Sequence, residues 1–290
     1  MNSDRIASSI DTQRMNNAHV TIVGGAYGLA HDLVRCGLGS LSYIDFDRID
    51  ASNPARQDFN STDVGQFKAR MLVESLRRIN GETQVEYFLR DFCDFGTEEF
   101  DTLFGHTDLF IFATDSFPAQ ARGNLEAIRL RKPAIFIGLY REGRAGEVIF
   151  WNPGSTPACY RCICSSRYQA FAAQSRNQAD PTSIPSTGGT ILDLHLVDAI
   201  AGQIAVGLLT AGAENRFGRL IGQLKDRNLL QIKIDPTYTM GGRDIFADHL
   251  GSNPANFSFN TIALPMEAED DCPDCRHLRQ ARKAEPCAGL

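Results

Sequence analysis

Short apolar runs closed by glycine or polar clusters recur along the first half of the chain. Residues 20–24 are such a run, ending in glycine, and read as a buried strand. Residues 29–36 fit a helix that Gly37 and Gly39 stop. Residues 41–44 are the next strand, with Asp45 at its end. Residues 67–79 carry helical spacing with alternating charge. Residues 85–89, 109–113 and 134–139 read as further strands, with a helix over 123–131 between the last two. An Arg-Glu-Gly turn then leads to a strand over 146–151. Residues 165–189 break the pattern: they are rich in Ser, Gln and Asn, contain Pro181 and Pro185, and read as a long mobile crossover loop. Residues 191–211 are the most apolar helical stretch. Residues 229–234 and 257–264 read as late strands of alternating character. This βαβ alternation predicts an α/β fold: a Rossmann-like, mostly parallel sheet extended by C-terminal antiparallel strands.

Composition narrows the picture. With 290 residues and 43% hydrophobic content, the chain is long enough for a full core. The net charge of −6, without a long basic run, argues against nucleic-acid binding through phosphate neutralisation. Residues 1–17 are polar and of mixed charge, unlike a secretion signal. Asp193, His195 and Asp198 inside the apolar helix argue for a buried helix rather than a membrane span. Eight cysteines without a secretion signal suggest thiols or metal ligands in a reducing cytoplasm.

The chemistry concentrates after the first strand. Gly24, Gly25 and Gly28 form a turn whose backbone a phosphate can approach, with a helix N-terminus behind it. Asp45 lies 21 positions after Gly24, the usual separation for an acid that accepts from a ribose hydroxyl. Such a turn is equally often tight packing, so these residues alone leave the choice open. Arg56 and Lys68 are cations suited to phosphate charge. Asn53 and Gln57 can hydrogen-bond phosphate or ribose. Asp115 follows a strand at its C-terminal end, where open sheets bind ligands, and could hold Mg²⁺ through oxygen. Each taken singly is more commonly a solvated surface group.

Asp45-Phe-Asp47-x-Ile-x-x-Ser-Asn53-x-x-Arg56-Gln57, followed by Val-Gly-x-x-Lys68, resembles the ThiF/MoeB family of ubiquitin-like-protein activating enzymes. Asp115-Ser, Cys159-x-x-Cys162 and Cys272-x-x-Cys275 continue the likeness in order, over roughly residues 20–275. The resemblance implies one adenylation domain over 1–290, with an N-terminal arm (1–18), a crossover loop (165–190) and a tail (280–290). It implies that ATP and the C-terminal Gly-Gly of a ubiquitin-like or sulfur-carrier protein give an acyl-adenylate and pyrophosphate. Asp45 and Asp47 would lie on the nucleotide, with Asp45 on the ribose. Asn53, Arg56, Gln57 and Lys68 would surround the phosphates, and Asp115 would bind Mg²⁺. It further implies a homodimer in which an arginine of the partner's arm enters the site; Arg5 and Arg14 are candidates, and spacing favours Arg5. The chain departs from the family at the first turn: Gly24-Gly-Ala-Tyr27-Gly28 replaces Gly-x-Gly-Gly-x-Gly, and the span to Asp45 is about three residues short. A subunit that recruits partners with little catalysis is therefore a second reading. An NAD-dependent oxidoreductase is a remote third, with no place for Arg56, Lys68 or the cysteine pairs.

Each C-x-x-C pair can chelate one side of a tetrahedral Zn²⁺, and Cys159, Cys162, Cys272 and Cys275 together would make a closed structural site. Two unrelated thiol pairs are the alternative. The crossover loop offers Thr182, Ser183, Ser186 and Thr187 but no cysteine, so adenylation without a loop-cysteine thioester is expected. Cys164 and Cys287 are outside candidates for a thioester, and Cys36 and Cys93 read as ordinary buried cysteines.

Overall fold

The computed structural model describes residues 4–176, 188–253 and 258–278. The elements in order are α1 (Thr12–Asn17), β1 (His19–Gly24), α2 (Tyr27–Arg35), β2 (Ser40–Ile44), α3 (Lys68–Ile79), β3 (Gln84–Phe88), α4 (Thr97–Phe104), β4 (Leu109–Ala113), α5 (Phe117–Leu130), β5 (Ala134–Leu139), β6 (Ala145–Trp151), α6 (Tyr160–Ile163), α7 (Ser165–Arg176), α8 (Ile191–Leu209), α9 (Arg216–Leu224), β7 (Leu229–Lys233), α10 (Ile245–Leu250) and β8 (Asn260–Leu264). Their strands form one sheet in the order β3-β2-β1-β4-β5-β6-β7-β8. The first five are parallel, and β6, β7 and β8 each run antiparallel to the strand before them. The expected α/β architecture, with its antiparallel extension, is the one found.

Side-chain alternation divides the interior into two cores. Along β4, Leu109 and Ile111 enter one, while Phe110 and Phe112 enter the other. The first core takes the buried faces of α2, α3 and α8. In α3 that face is Ala69, Leu72, Val73 and Leu76, spaced at one helical repeat. The second is aromatic: Phe92, Phe95, Phe100, Phe104, Phe110, Phe112 and Phe136 pack with α4, α5 and α6 against the sheet. Helix α8 is apolar and long enough to cross a membrane by length and composition alone. Here it packs between α2 and α9 and on β5 and β6, with Val197, Ala201, Ile204 and Ala205 buried.

Several expectations need correction. Helix α5 starts at Phe117, six residues before the expected 123. Ser116 caps it by accepting from Ala119 N, and Pro118 sits in its first turn, where a missing N–H costs nothing. Half of the expected crossover loop is helix α7. Its polar composition hid one anchoring face, on which Arg167 meets Glu147 and Tyr168 meets Phe117. Strand β7 is covered more fully than alternation suggests: all its residues are buried, because it lies inside the sheet with both faces covered, whereas in the edge strand β8 only Ile262 is buried. Cys93 is exposed and Cys36 half-buried, so neither is a core cysteine. Thr182, Ser183, Ser186, Thr187, Pro181, Pro185, Cys287 and the tail lie outside the described residues.

Candidate functional site

Strand register builds the site. Val23 pairs with Ile44, and Gly24 with Ala113. Asp45, the Gly24–Gly25 turn and Thr114–Asp115 therefore leave the sheet side by side, at the carboxyl ends of β2, β1 and β4. The strand order reverses between β1 and β4, where open sheets form a ligand crevice. Close approach fixes the glycines. A Cβ on Gly24 (φ +80°) would stand 2.7 Å from Thr114 Cβ, and one on Gly25 would stand 2.9 Å from Ala113 O. Gly25 N donates to that carbonyl at 2.8 Å, and Tyr43 Oη donates to Gly24 O beneath the turn.

Asp45 is buried. Its Oδ1 accepts from Asp47 N at 2.8 Å, and its Oδ2 from Tyr27 Oη at 2.9 Å. Burial pushes its carboxyl above the usual range, while the Asp47 amide, Lys68 and Tyr27 pull it back. Lys68 opens α3, and its Nζ reaches Asp47 Oδ2 at 3.0 Å with only 12% of its side chain exposed. Asp45, Asp47 and Lys68 thus form one connected group.

The segment between them folds over this edge. Asn53 begins the short turn Asn53–Ala55, its Oδ1 accepting from Asp50 N at 3.0 Å, so part of its side chain serves the turn itself. Arg56 N and Gln57 N both donate to Asn53 O at 2.8 Å. Arg56 reaches the end of β5: its Nη2 lies 3.7 Å from where a Cβ on Gly189 would stand, and that same Cβ would clash with Leu139. Gln57 Oε1 is buried without a hydrogen-bond partner among the described residues. Asp115 is exposed beside Ser116, the cap of α5.

Two candidate arginines lie elsewhere. Arg14 is tied to its own chain, with Nη1 donating to Ala211 O at 2.6 Å. Arg5 is exposed on the arm ahead of α1. The arm packs by the C-terminal end of α8, where Ile10 and Asp11 share a surface cavity of about 470 Å³ with Ala213 and Asn215. Helix α8 has 19 residues, or about 28 Å of length, and begins beside Gly189. The residues just before α1 therefore lie by the end of α8 opposite to the one beside Gly189.

Sequence reasoning missed what holds the first turn of α2. Asp198 was noted only as a charge in an apolar helix. Its buried Oδ2 accepts from Leu29 N at 3.3 Å, so one N–H expected to face phosphate serves α8 instead. Burial raises this carboxyl to about 7, against the pull of the Leu29 amide and His195. His195 Nε2 lies 3.1 Å from Asp58 Oδ2, and Gly28 leaves room for both groups: its Cβ would stand 3.1 Å from the His195 ring and 3.2 Å from Asp198 Oδ2. A glycine facing a polar pair of the long helix carries no local signal.

The four cysteines converge. Their sulfurs all lie within 4.8 Å of one another, buried, and could hold a metal ion. Cys159 to Cys162 is 3.8 Å, Cys159 to Cys272 is 3.7 Å, and Cys162 to Cys275 is 3.6 Å. Asn124 of α5 braces the cluster: Nδ2 donates to Asp274 Oδ2 at 2.8 Å and approaches Cys159 Sγ at 3.7 Å, while Oδ1 accepts from Tyr160 N. Cys164 stands apart from these four. Burial, then Glu147, pushes its thiol up to about 12.

A model of the ThiF family matches residues 3–230. The chain is 32% identical over 160 residues to the sulfur carrier protein adenylyltransferase of Thermus thermophilus, covering 52% of this chain and 57% of that protein. It is 30% identical over 220 residues to the probable adenylyltransferase/sulfurtransferase MoeZ of Mycobacterium tuberculosis, covering 72% and 52%. To ubiquitin-like modifier-activating enzyme 5 of Caenorhabditis elegans it is 26% identical over 164 residues, covering 52% and 38%. The chain thus spans about half the length, or less, of these curated relatives. Among solved structures, Escherichia coli MccB with ATP superposes with a TM-score of 0.63 at 20% identity, covering 91% of this chain and 68% of that one. At that identity the likeness is one of fold.

Proposed function

The chain belongs to the ThiF family, and on that premise we propose that it adenylates the C-terminal glycine of a ubiquitin-like or sulfur-carrier protein, using ATP and Mg²⁺. The observation that carries this reading is the connected group Asp45, Asp47 and Lys68 at the strand-order reversal, with Arg56 of the intervening segment brought to the end of β5. Asp45 takes a ribose hydroxyl, and Gln57 Oε1 gains the donor it needs. Lys68 and Arg56 face the phosphates. A carboxylate oxygen of the carrier attacks the α-phosphorus, the new P–O bond forms, and the bond to the bridging oxygen breaks to release pyrophosphate. The protein forms no covalent bond in this step; alignment and cationic charge carry it. Mg²⁺, held by Asp115, would neutralise charge on the departing pyrophosphate. With Cys164 a buried thiol, the product remains an acyl-adenylate rather than a thioester on that residue.

The four cysteines hold Zn²⁺ in this reading. Thiolates at about 2.3 Å from a tetrahedral ion stand about 3.8 Å apart, close to the sulfur spacings found. The ion would be structural, joining the residues before α7 to those after β8. The active unit is a homodimer in this reading, with Arg5 of one copy's arm entering the other copy's site; the packing of its own arm by the C-terminal end of α8 supports this.

The decisive assay is exchange of labelled pyrophosphate into ATP in the presence of Mg²⁺ and a carrier protein ending in Gly-Gly. The native protein should catalyse it, and Lys68→Ala should lower the rate by about 10²-fold or more, the scale for losing one charge-stabilising group. Calorimetry detecting no ATP at millimolar concentration would favour the recruiting subunit instead. The contact of Tyr27 with Asp45 is the feature that supports that second reading.

A further inference from the structure

Tyr27 has no role in the chemistry above, yet it touches the residue assigned to the ribose. It is the first residue of α2, placed there by the shortened glycine turn, and it is 4% exposed. Its ring stands edge-on to Phe59 at 4.6 Å and lies 5.9 Å from Tyr43. A phenol so enclosed cannot swing aside without opening the core beneath α2, and its hydroxyl must find a partner inside. The partner is Asp45 Oδ2, at 2.9 Å. Burial and the neighbouring Asp45 charge push this phenol up, so it stays protonated and donates. Asp45 Oδ1, in turn, already accepts one hydrogen bond from Asp47 N.

A carboxylate that grips a ribose with both oxygens offers one to each of the two neighbouring hydroxyls. Here one oxygen faces a buried side chain that supplies the donor a hydroxyl would have supplied. We propose that Tyr27 is a specificity-determining residue whose hydroxyl takes the place of one ribose hydroxyl on Asp45, so that the site grips ATP through a single ribose hydroxyl and tolerates loss of the other. The inference rests on the adenylation reading. It makes the nucleotide class broader than ATP: one of the two deoxy forms of the ribose is also accepted.

The test compares binding of ATP, 2′-deoxy-ATP and 3′-deoxy-ATP, each with Mg²⁺, by calorimetry on the full chain. In the native protein one deoxy analogue should bind within about threefold of ATP. The other should bind about tenfold or more weakly, the scale of one hydrogen bond to a charged group. In Tyr27→Phe, which keeps the ring and frees Oδ2, the tolerated analogue should also become about tenfold weaker than ATP. A merely structural role for Tyr27 would shift all three affinities together and leave their ratios unchanged. The native arm stands without the variant, so poor folding of Tyr27→Phe does not remove the test. Native protein that loses about tenfold with both analogues, or with neither, overturns the inference while leaving adenylation standing. Unchanged ratios in a folded Tyr27→Phe do the same. Binding of none of the three nucleotides overturns the adenylation reading and this inference with it.

Discussion

Asp198 joins α8 to the first turn of α2 through its acceptance from Leu29 N, and it does so from a buried position. Its carboxyl sits at about 7 against an ordinary 3.8, with burial the main cause. Between those values the folded protein keeps a proton that the unfolded chain has released. Stability therefore falls as pH rises from about 4 to about 7, and this contribution is flat above that range. Asp198→Asn keeps an acceptor for Leu29 N and removes the charge. It should melt close to the native protein at pH 4 and be more stable by about 2–4 kcal/mol at pH 8, as differential scanning calorimetry would report. A variant less stable at both ends would contradict the burial argument. At this scale the crowding of Asp45, Asp47, Asn53, Arg56, Gln57 and Lys68 into one short segment after a strand was legible, while their roles rest on the proposed function. Asp198 and the polar side of Gly28 were not, since their meaning depends on a helix some 170 positions away in the chain.

Elements divide along a similar line. The strands could be read because their apolar runs end at glycine or charge; β4 and β5 fall on the expected residues, and β1 and β2 start one residue early. Helices α4, α7, α9 and α10 went unread because each is short or anchored by few side chains. Helix α7 is held partly by an ion pair between half-buried Arg167 and buried Glu147, Nη1 to Oε1 at 2.5 Å. Tyr140 Oη donates to the other oxygen of Glu147 at 2.6 Å, and Gln231 Nε2 donates to Tyr140 Oη. Removing the cation leaves a carboxylate in the second core facing only neutral donors. Arg167→Met should lower stability in urea by about 2–4 kcal/mol, toward the smaller value because 34% of the arginine side chain is exposed. Adding Glu147→Gln should restore most of that loss. Equal destabilisation by the single and double variants would mean that α7 is held by its aromatic contacts with Phe117 instead.

For the whole molecule, the place of the site followed from the alternation of strands and helices, because a reversal of strand order leaves its crevice at the carboxyl ends. The position of the arm did not, since it depends on where α8 ends. That position makes the homodimer testable. Arg5→Ala and Lys68→Ala should each be nearly inactive alone. In a one-to-one mixture about half the dimers are mixed, each with one complete site of two, so activity should return to about one quarter of native. No recovery, or full activity from a monomer in light scattering, would sink the trans-acting arginine. The sulfur cluster brings together residues 113 positions apart, and the segment between them includes α8, α9, β7 and β8. A metal on all four sulfurs turns that segment into a closed ring. A single protease cut anywhere between Cys162 and Cys272 then opens the ring without releasing a piece: the fragments should separate in denaturant only after a chelator is added, and remain one species while the ion is in place.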